Sequence, residues 1–172
     1  MAGVQIDGVN NKIDFDDDKD TSISANTDDT LVIEAGGNTL ATFTATTLTI
    51  NDGTTITTAD NTDTLTLIST DDDAASGPNL RLYRNSSSPE DSNVFGQIDF
   101  EGRNDNSQDF VATEIKVAAG DVSDGTEDAQ IEFDVMTNGT LREYLRLASG
   151  SSPSVVFNED SQDIDFRVES NG

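Results

Sequence analysis

The 172-residue chain carries 34 acidic residues against 9 basic ones, a net charge of -25, and has no cysteine, histidine or tryptophan. Nucleophilic catalysis built on Cys or on a His base is thereby excluded, and so is disulfide stapling. An acidic surface is repelled by nucleic acid and by anionic membrane, so neither is an expected partner.

Val, Ile, Leu and Phe together make up about 23% of the chain, just above the roughly 20% below which high charge goes with disorder. These apolar residues alternate with polar ones almost from end to end, which predicts many short strands with one buried face. A lone chain of this composition has a thin core, and oligomerisation or bound ions are the remaining supports. In salt near 1 M the Debye length falls to about 3 Å and repulsion between copies fades, so a saline setting or bound divalent cations is expected. Residues 1–7 have neither the basic nor the apolar region of a signal peptide. No run approaches the ~18 apolar residues that span a bilayer. The expectation is a soluble protein made in the cytoplasm.

Residues 1–73 read as a Thr- and Asp-rich β region. Short strands are predicted at 4–6, 12–15, 22–24, 30–34, 39–44, 47–50, 54–57 and 64–68. Turn signals separate them, among them Asp7-Gly8, Gly36-Gly37-Asn38 and Asp52-Gly53. Strands so short and polar are unstable in isolation and call for stacked or intertwined copies. Asp71-Asp72-Asp73-Ala74-Ala75-Ser76-Gly77-Pro78 reads as a junction. Residues 74–152 look like a β-sandwich or meander domain, with strands at 80–84, 94–102, 110–118, 129–136 and 141–147. Val111, Thr113, Ile115 and Val117 share one face of the third of these. Ile131, Phe133 and Val135 share one face of the fourth. Asn138-Gly139 is a two-residue hairpin signal, which favours strand over a helical turn for 141–147. Residues 153–172 read as the start of a second shaft, with Ile-Asp-Phe at 164–166 echoing 13–15 and 98–100.

Several segments together resemble tail-fibre proteins of marine bacteriophages. They are 71–78, Leu82-Tyr83-Arg84-Asn85-Ser86-Ser87-Ser88-Pro89 and Gly96-Gln97-Ile98-Asp99-Phe100. Ser123-Asp124-Gly125-Thr126-Glu127-Asp128, Arg142-Glu143-Tyr144-Leu145-Arg146-Leu147 and Val155-Val156-Phe157-Asn158-Glu159-Asp160-Ser161 complete the set. The resemblance covers about residues 64–172, and the N-terminal part is similar only in style. It implies a trimeric, β-rich virion appendage, assembled in the host cytoplasm and exposed on the released particle. Its partners would be its own copies, other tail or capsid proteins and a host surface glycan or receptor. A capsid head fibre or decoration protein is the alternative within this class. A surface adhesin or filament subunit of a salt-adapted microbe is a further one.

Two acidic stretches have the donor chemistry of cation sites. Residues 14–20, Asp-Phe-Asp-Asp-Asp-Lys-Asp, open like a calcium loop, but the sixth position is Lys19 where a Gly is needed. The twelfth is Ala25 where a bidentate Glu is needed. Asp121, Asp124, Glu127 and Asp128 sit in one flexible loop with Gly125, and these hard oxygen donors are the candidate Ca²⁺ ligands. A solvated hairpin loop is the other reading. With 34 carboxylates, pairs suited to glycoside hydrolysis arise by number alone, and no Trp is present to line a sugar cleft. The chain is therefore read as no enzyme, with no resident cofactor.

The expectation is an all-β, elongated homotrimeric fibre with intertwined short strands. Its expected core is Ile13, Phe15, Ile23, Leu31, Ile33, Phe43, Leu48, Ile50, Leu65, Leu67, Ile98, Phe100, Ile131, Phe133, Leu145, Phe157, Ile164 and Phe166.

Overall fold

The computed structural model describes residues 4–158 together with Asp160 and Arg167. The expected strand at 164–166, with Ile164 and Phe166, lies outside the described residues. The described residues are all-β, with no helix, and form two antiparallel sheets. The chain divides into two compact units, Met1–Gly77 and Pro78–Gly172, the division falling inside the 71–78 run.

The first unit is a six-stranded meander of β1 (Gln5–Asp7), β2 (Lys12–Asp14), β3 (Ser22–Ser24), β4 (Leu31–Ala35), β5 (Asn38–Phe43) and β6 (Leu48–Ile50). Its register runs one apolar row straight across the sheet. Ile6 stands opposite Ile13, Ile13 opposite Ile23, Ile23 opposite Ile33, Ile33 opposite Ala41 and Ala41 opposite Ile50. Leu31, Phe43 and Leu48 form a second row beside it. Residues directly opposite share a face, and β-branched pairs there stabilise the sheet. The other face is polar, with Asp14 opposite Ser22 and Ser22 opposite Glu34. The Ser22 hydroxyl donates to Glu34 Oε2 at 2.9 Å.

The second unit is a five-stranded meander in the spatial order β11-β10-β9-β8-β7. Its strands are β7 (Val94–Arg103), β8 (Asp109–Asp121), β9 (Asp128–Thr137), β10 (Thr140–Ala148) and β11 (Ser154–Phe157). The β9–β10 hairpin turns on Asn138 and Gly139, with φ of 50° and 79°. Two successive left-handed residues make a type I′ turn, whose twist matches that of the flanking strands. A bulge between Glu143 and Leu145 lets Tyr144 hydrogen-bond Thr137 through their hydroxyls at 2.9 Å.

The expected strands at 54–57, 64–68 and 80–84 are not in a ladder. They alternate correctly, but a strand also needs backbone hydrogen bonds to a neighbour, and among the described residues these runs make none. The expected core is corrected as well. Among the described residues the only buried hydrophobic side chains are Ala41, Ala118 and Ala119. Ile13, Phe15, Leu31, Phe43, Leu48, Ile50, Leu65, Leu67, Ile98, Phe100 and Phe157 are exposed. Ile23, Ile33, Ile131, Phe133 and Leu145 are half-buried. The reason is that each unit is one layer, and an apolar sheet face is buried only by a second layer.

Gly139→Ala places a Cβ at φ 79°, and a loss of about 1 kcal/mol in stability is expected. Chemical denaturation at one fixed protein concentration measures it, and an unchanged midpoint would contradict the turn assignment.

Candidate functional site, an uncovered apolar face

The second sheet sorts its side chains by chemistry. On one face a row of five large residues crosses every strand: Ile98, Ile115, Phe133, Leu145 and Phe157. Beside it runs the row Gly96, Val117, Ile131, Leu147 and Val155. Phe100, opposite Thr113, extends the same face and is 55% exposed. Towards β7, Leu82, Phe95, Ile98, Ile115 and Val117 line an apolar hollow of about 480 Å³. Five strands at about 4.8 Å spacing and ~30 Å length give a face of roughly 700 Å². That is close to the ~800 Å² per partner of a stable protein interface. Ile98, Phe100, Leu147, Val155 and Phe157 are exposed on this face, and contiguous exposed apolar patches are characteristic of interaction surfaces.

The opposite face is ionic and better buried than the apolar one. Glu114 and Glu132 are 8% exposed and Asp134 is 7%. All three converge on Lys116, whose Nζ lies 2.7 Å from Glu132 Oε2, 3.3 Å from Glu114 Oε1 and 3.5 Å from Asp134 Oδ2. The Glu132 hydrogen bond, followed by the neighbouring carboxylate charges, holds the Lys116 ammonium well above the ordinary lysine range despite partial burial. Asp99, Glu114, Asp134 and Glu143 form one cross-strand row of carboxylates. Like charges directly opposite are destabilising, and Lys116, with Arg146 opposite Glu132, offsets them. In the first sheet Lys12 plays a comparable part. Its Nζ is 2.9 Å from the buried Asp14 carboxylate, an ion contact without hydrogen-bond alignment, and it donates to the Lys19 carbonyl at 2.8 Å.

The two acidic loops differ in their geometry. The carboxylates of Asp16, Asp18 and Asp20 lie within 4.8 Å of one another. Lys19, at φ 64°, takes the left-handed conformation that a calcium loop gives to Gly. Partial desolvation, with the charges of Asp18 and Asp16, raises the pKa of Asp20, and the hydrogen bond from Thr21 lowers that of Asp16. Among the described residues, Asp121, Asp124, Glu127 and Asp128 are not brought into such a group. Asp121 is engaged inside its own loop. It accepts the Ser123 N–H at 2.7 Å and the Thr126 hydroxyl at 3.2 Å, and the Ser123 bond lowers its pKa. Asp124 and Glu127 are exposed, and Asp128 begins β9.

The Lys116 cluster escaped the sequence reading because its members sit on two strands. Only the register, with Lys116 opposite Glu132 and Glu114 opposite Asp134, unites them. Comparison of the chain with family models, with curated proteins and with solved structures finds no match.

Lys116→Met leaves three largely buried carboxylates without their shared cation, and destabilisation of about 3 kcal/mol is expected. A raised folded-state lysine pKa contributes stability in full below the unfolded value. That contribution fades as pH climbs through the folded one. The difference between wild type and variant is therefore expected to be constant from about pH 7 to 9 and to shrink above about pH 10.5. Thermal melts across that range measure it, and a difference that grows with alkalinity would contradict the assignment.

Proposed function

We propose that the chain is a non-catalytic structural subunit of a virion fibre, a homotrimer that contributes to attachment of a phage particle to its host. One observation carries the reading. A 172-residue chain whose only buried apolar side chains, among the described residues, are three alanines has its large apolar residues on open sheet faces and on the exposed stretch between the sheets. Such faces are stable in water only when covered, and copies of the same chain cover them with matching rows. The Glu114, Glu132 and Asp134 carboxylates lie on the opposite face of the second sheet, and the charges on the apolar face, Glu101, Arg103, Asp109 and Arg142, are of both signs, which reduces like-charge contact in such an association. The resemblance of residues 64–172 to marine tail fibres supplies the biological setting and the three-fold state. On this reading the net charge of -25 faces outward, which suits a particle suspended in salt.

Light scattering on a sizing column in seawater-like salt is expected to give a mass near three times 18.3 kDa with early, elongated elution. Phe100→Asp, on the open face, is expected to reduce that mass while the β-sheet circular dichroism persists. A folded wild-type monomer would overturn the shared-face reading.

Gold-labelled antibody to the chain is expected to mark filaments projecting from purified phage particles in electron micrographs. Label on the tail supports the tail fibre, label on the head supports the capsid fibre, and absence from particles overturns both.

A further inference from the structure

Between Ile50, the end of β6, and Val94, the start of β7, the chain has no strand ladder. Stretches of more than about 15 residues without secondary structure are uncommon in folded domains unless they are functional or disordered. This one does not read as disordered. Residues 54–58 are Thr-Thr-Ile-Thr-Thr, residues 64–68 are Thr-Leu-Thr-Leu-Ile and residues 80–84 are Leu-Arg-Leu-Tyr-Arg. These are alternating runs dominated by residues that favour extended backbone.

The connections between the runs are already built. Asp60 Oδ1 accepts the Thr62 N–H at 3.0 Å and its hydroxyl at 2.5 Å, and the hydroxyls of Thr58 and Thr64 meet at 2.9 Å. After the second run, Asp71 Oδ1 accepts the Asp73 N–H at 3.1 Å and Asp73 Oδ1 accepts the Ala75 N–H at 2.6 Å. The third run is held beside β7. Arg84 Nη1 donates to the Val94 carbonyl at 2.9 Å, and Leu82 Cβ lies 3.1 Å from the point a Gly96 Cβ would occupy. Yet no backbone hydrogen bond joins a run to any other part of the described chain. Every residue of the three runs is exposed, Leu65 by 63% and Leu80 by 65%. Turns are formed, side chains alternate, and the ladders are missing.

We propose that residues 54–58, 64–68 and 80–84 are strands of an intermolecular β-structure, paired with the same runs of neighbouring copies of this chain. This rests on the reading of the chain as a self-assembling fibre subunit and assigns the segment that interlocks the copies. Three observations name the occupant. Residues 54–59 and 64–70 carry no charge, so copies meet there without the self-repulsion that a charge of -25 imposes elsewhere. Arg81 and Arg84 are the only basic residues between Lys19 and Arg103, and a staggered neighbour offers them Asp60, Asp63 and Asp71, Asp72, Asp73. The segment from 54 to 84, about 30 residues, matches the 20–30 residues a side of a standard interface. Pairing between chains also gives partners to backbone N–H and C=O groups that have none inside one copy. It continues from β6 and into β7, which are outer strands of their sheets.

Amide hydrogen exchange read by mass spectrometry, on the full chain under the conditions of the mass measurement, tests the assignment. The expected result is a multiple of 18.3 kDa in which the three runs exchange at least about 100-fold slower than free peptide. Leu67→Pro removes one donor outside both sheets. It is expected to restore fast exchange in the runs and lower the mass, with β8 and β9 still protected. Leu67→Asp, which keeps the donor and charges the apolar side, is expected to do the same and serves if the proline variant fails to fold. A multimer whose runs exchange as fast as free peptide overturns this proposal and leaves the fibre reading standing. So does a folded variant with wild-type mass and protection. A wild-type monomer overturns the fibre reading with it.

Discussion

Side chains directly opposite one another in an antiparallel sheet must share a face. In this chain that rule gathers the isoleucines of the first sheet into one row and the large apolar residues of the second into another. It gathers Glu114, Lys116, Glu132 and Asp134 on the reverse of the second. Each unit is a single sheet, so the separation leaves an apolar surface that its own unit covers only at one edge, where Leu82 lies over Gly96. The open apolar face follows from that separation more than from the low apolar content. A chain with the same composition but two facing layers would bury its leucines and phenylalanines by itself.

The ionic face shows the converse. Its members are more buried than the phenylalanines because they pack against one another along and across strands. A buried charge is tolerable only when paired, and one ammonium serving three carboxylates is a lean arrangement. It fixes the phase of the sheet. A register slip of one residue would carry Lys116 to the apolar side and Ile115 to the ionic one. The carboxylates of Asp16, Asp18 and Asp20 lie close together, and partial desolvation, followed by the charges of Asp18 and Asp16, raises the pKa of Asp20.

The stretch between the two sheets holds local turns without ladders. Asx-type turns at Asp60, Asp71 and Asp73 are short-range and form within one copy. Ladders need a second backbone at about 4.8 Å and cannot be supplied by a turn. On the proposed reading, a fibre interlocked through such a segment would gain specificity from its uncharged runs, and the acidic remainder would keep particles apart.

The sequence by itself determined the strand class, the alternation and the turns. Asn138-Gly139 lies in the left-handed turn its residue types require, and residues 141–147 are strand where a helical turn was the other reading. Alternation also showed which residues share a strand face, as with Thr113, Ile115 and Val117. Only the tertiary structure decided what those faces meet. It set Lys116 against carboxylates from another strand, closed the 16–20 turn around a left-handed Lys19 that a loop template had disqualified, and left Phe100 and Leu65 in the open. The physical reason is range. Turn chemistry and strand periodicity act over two to four residues and can be read along the chain. Register, layering and burial depend on which distant backbone lies alongside, and no local pattern carries that information.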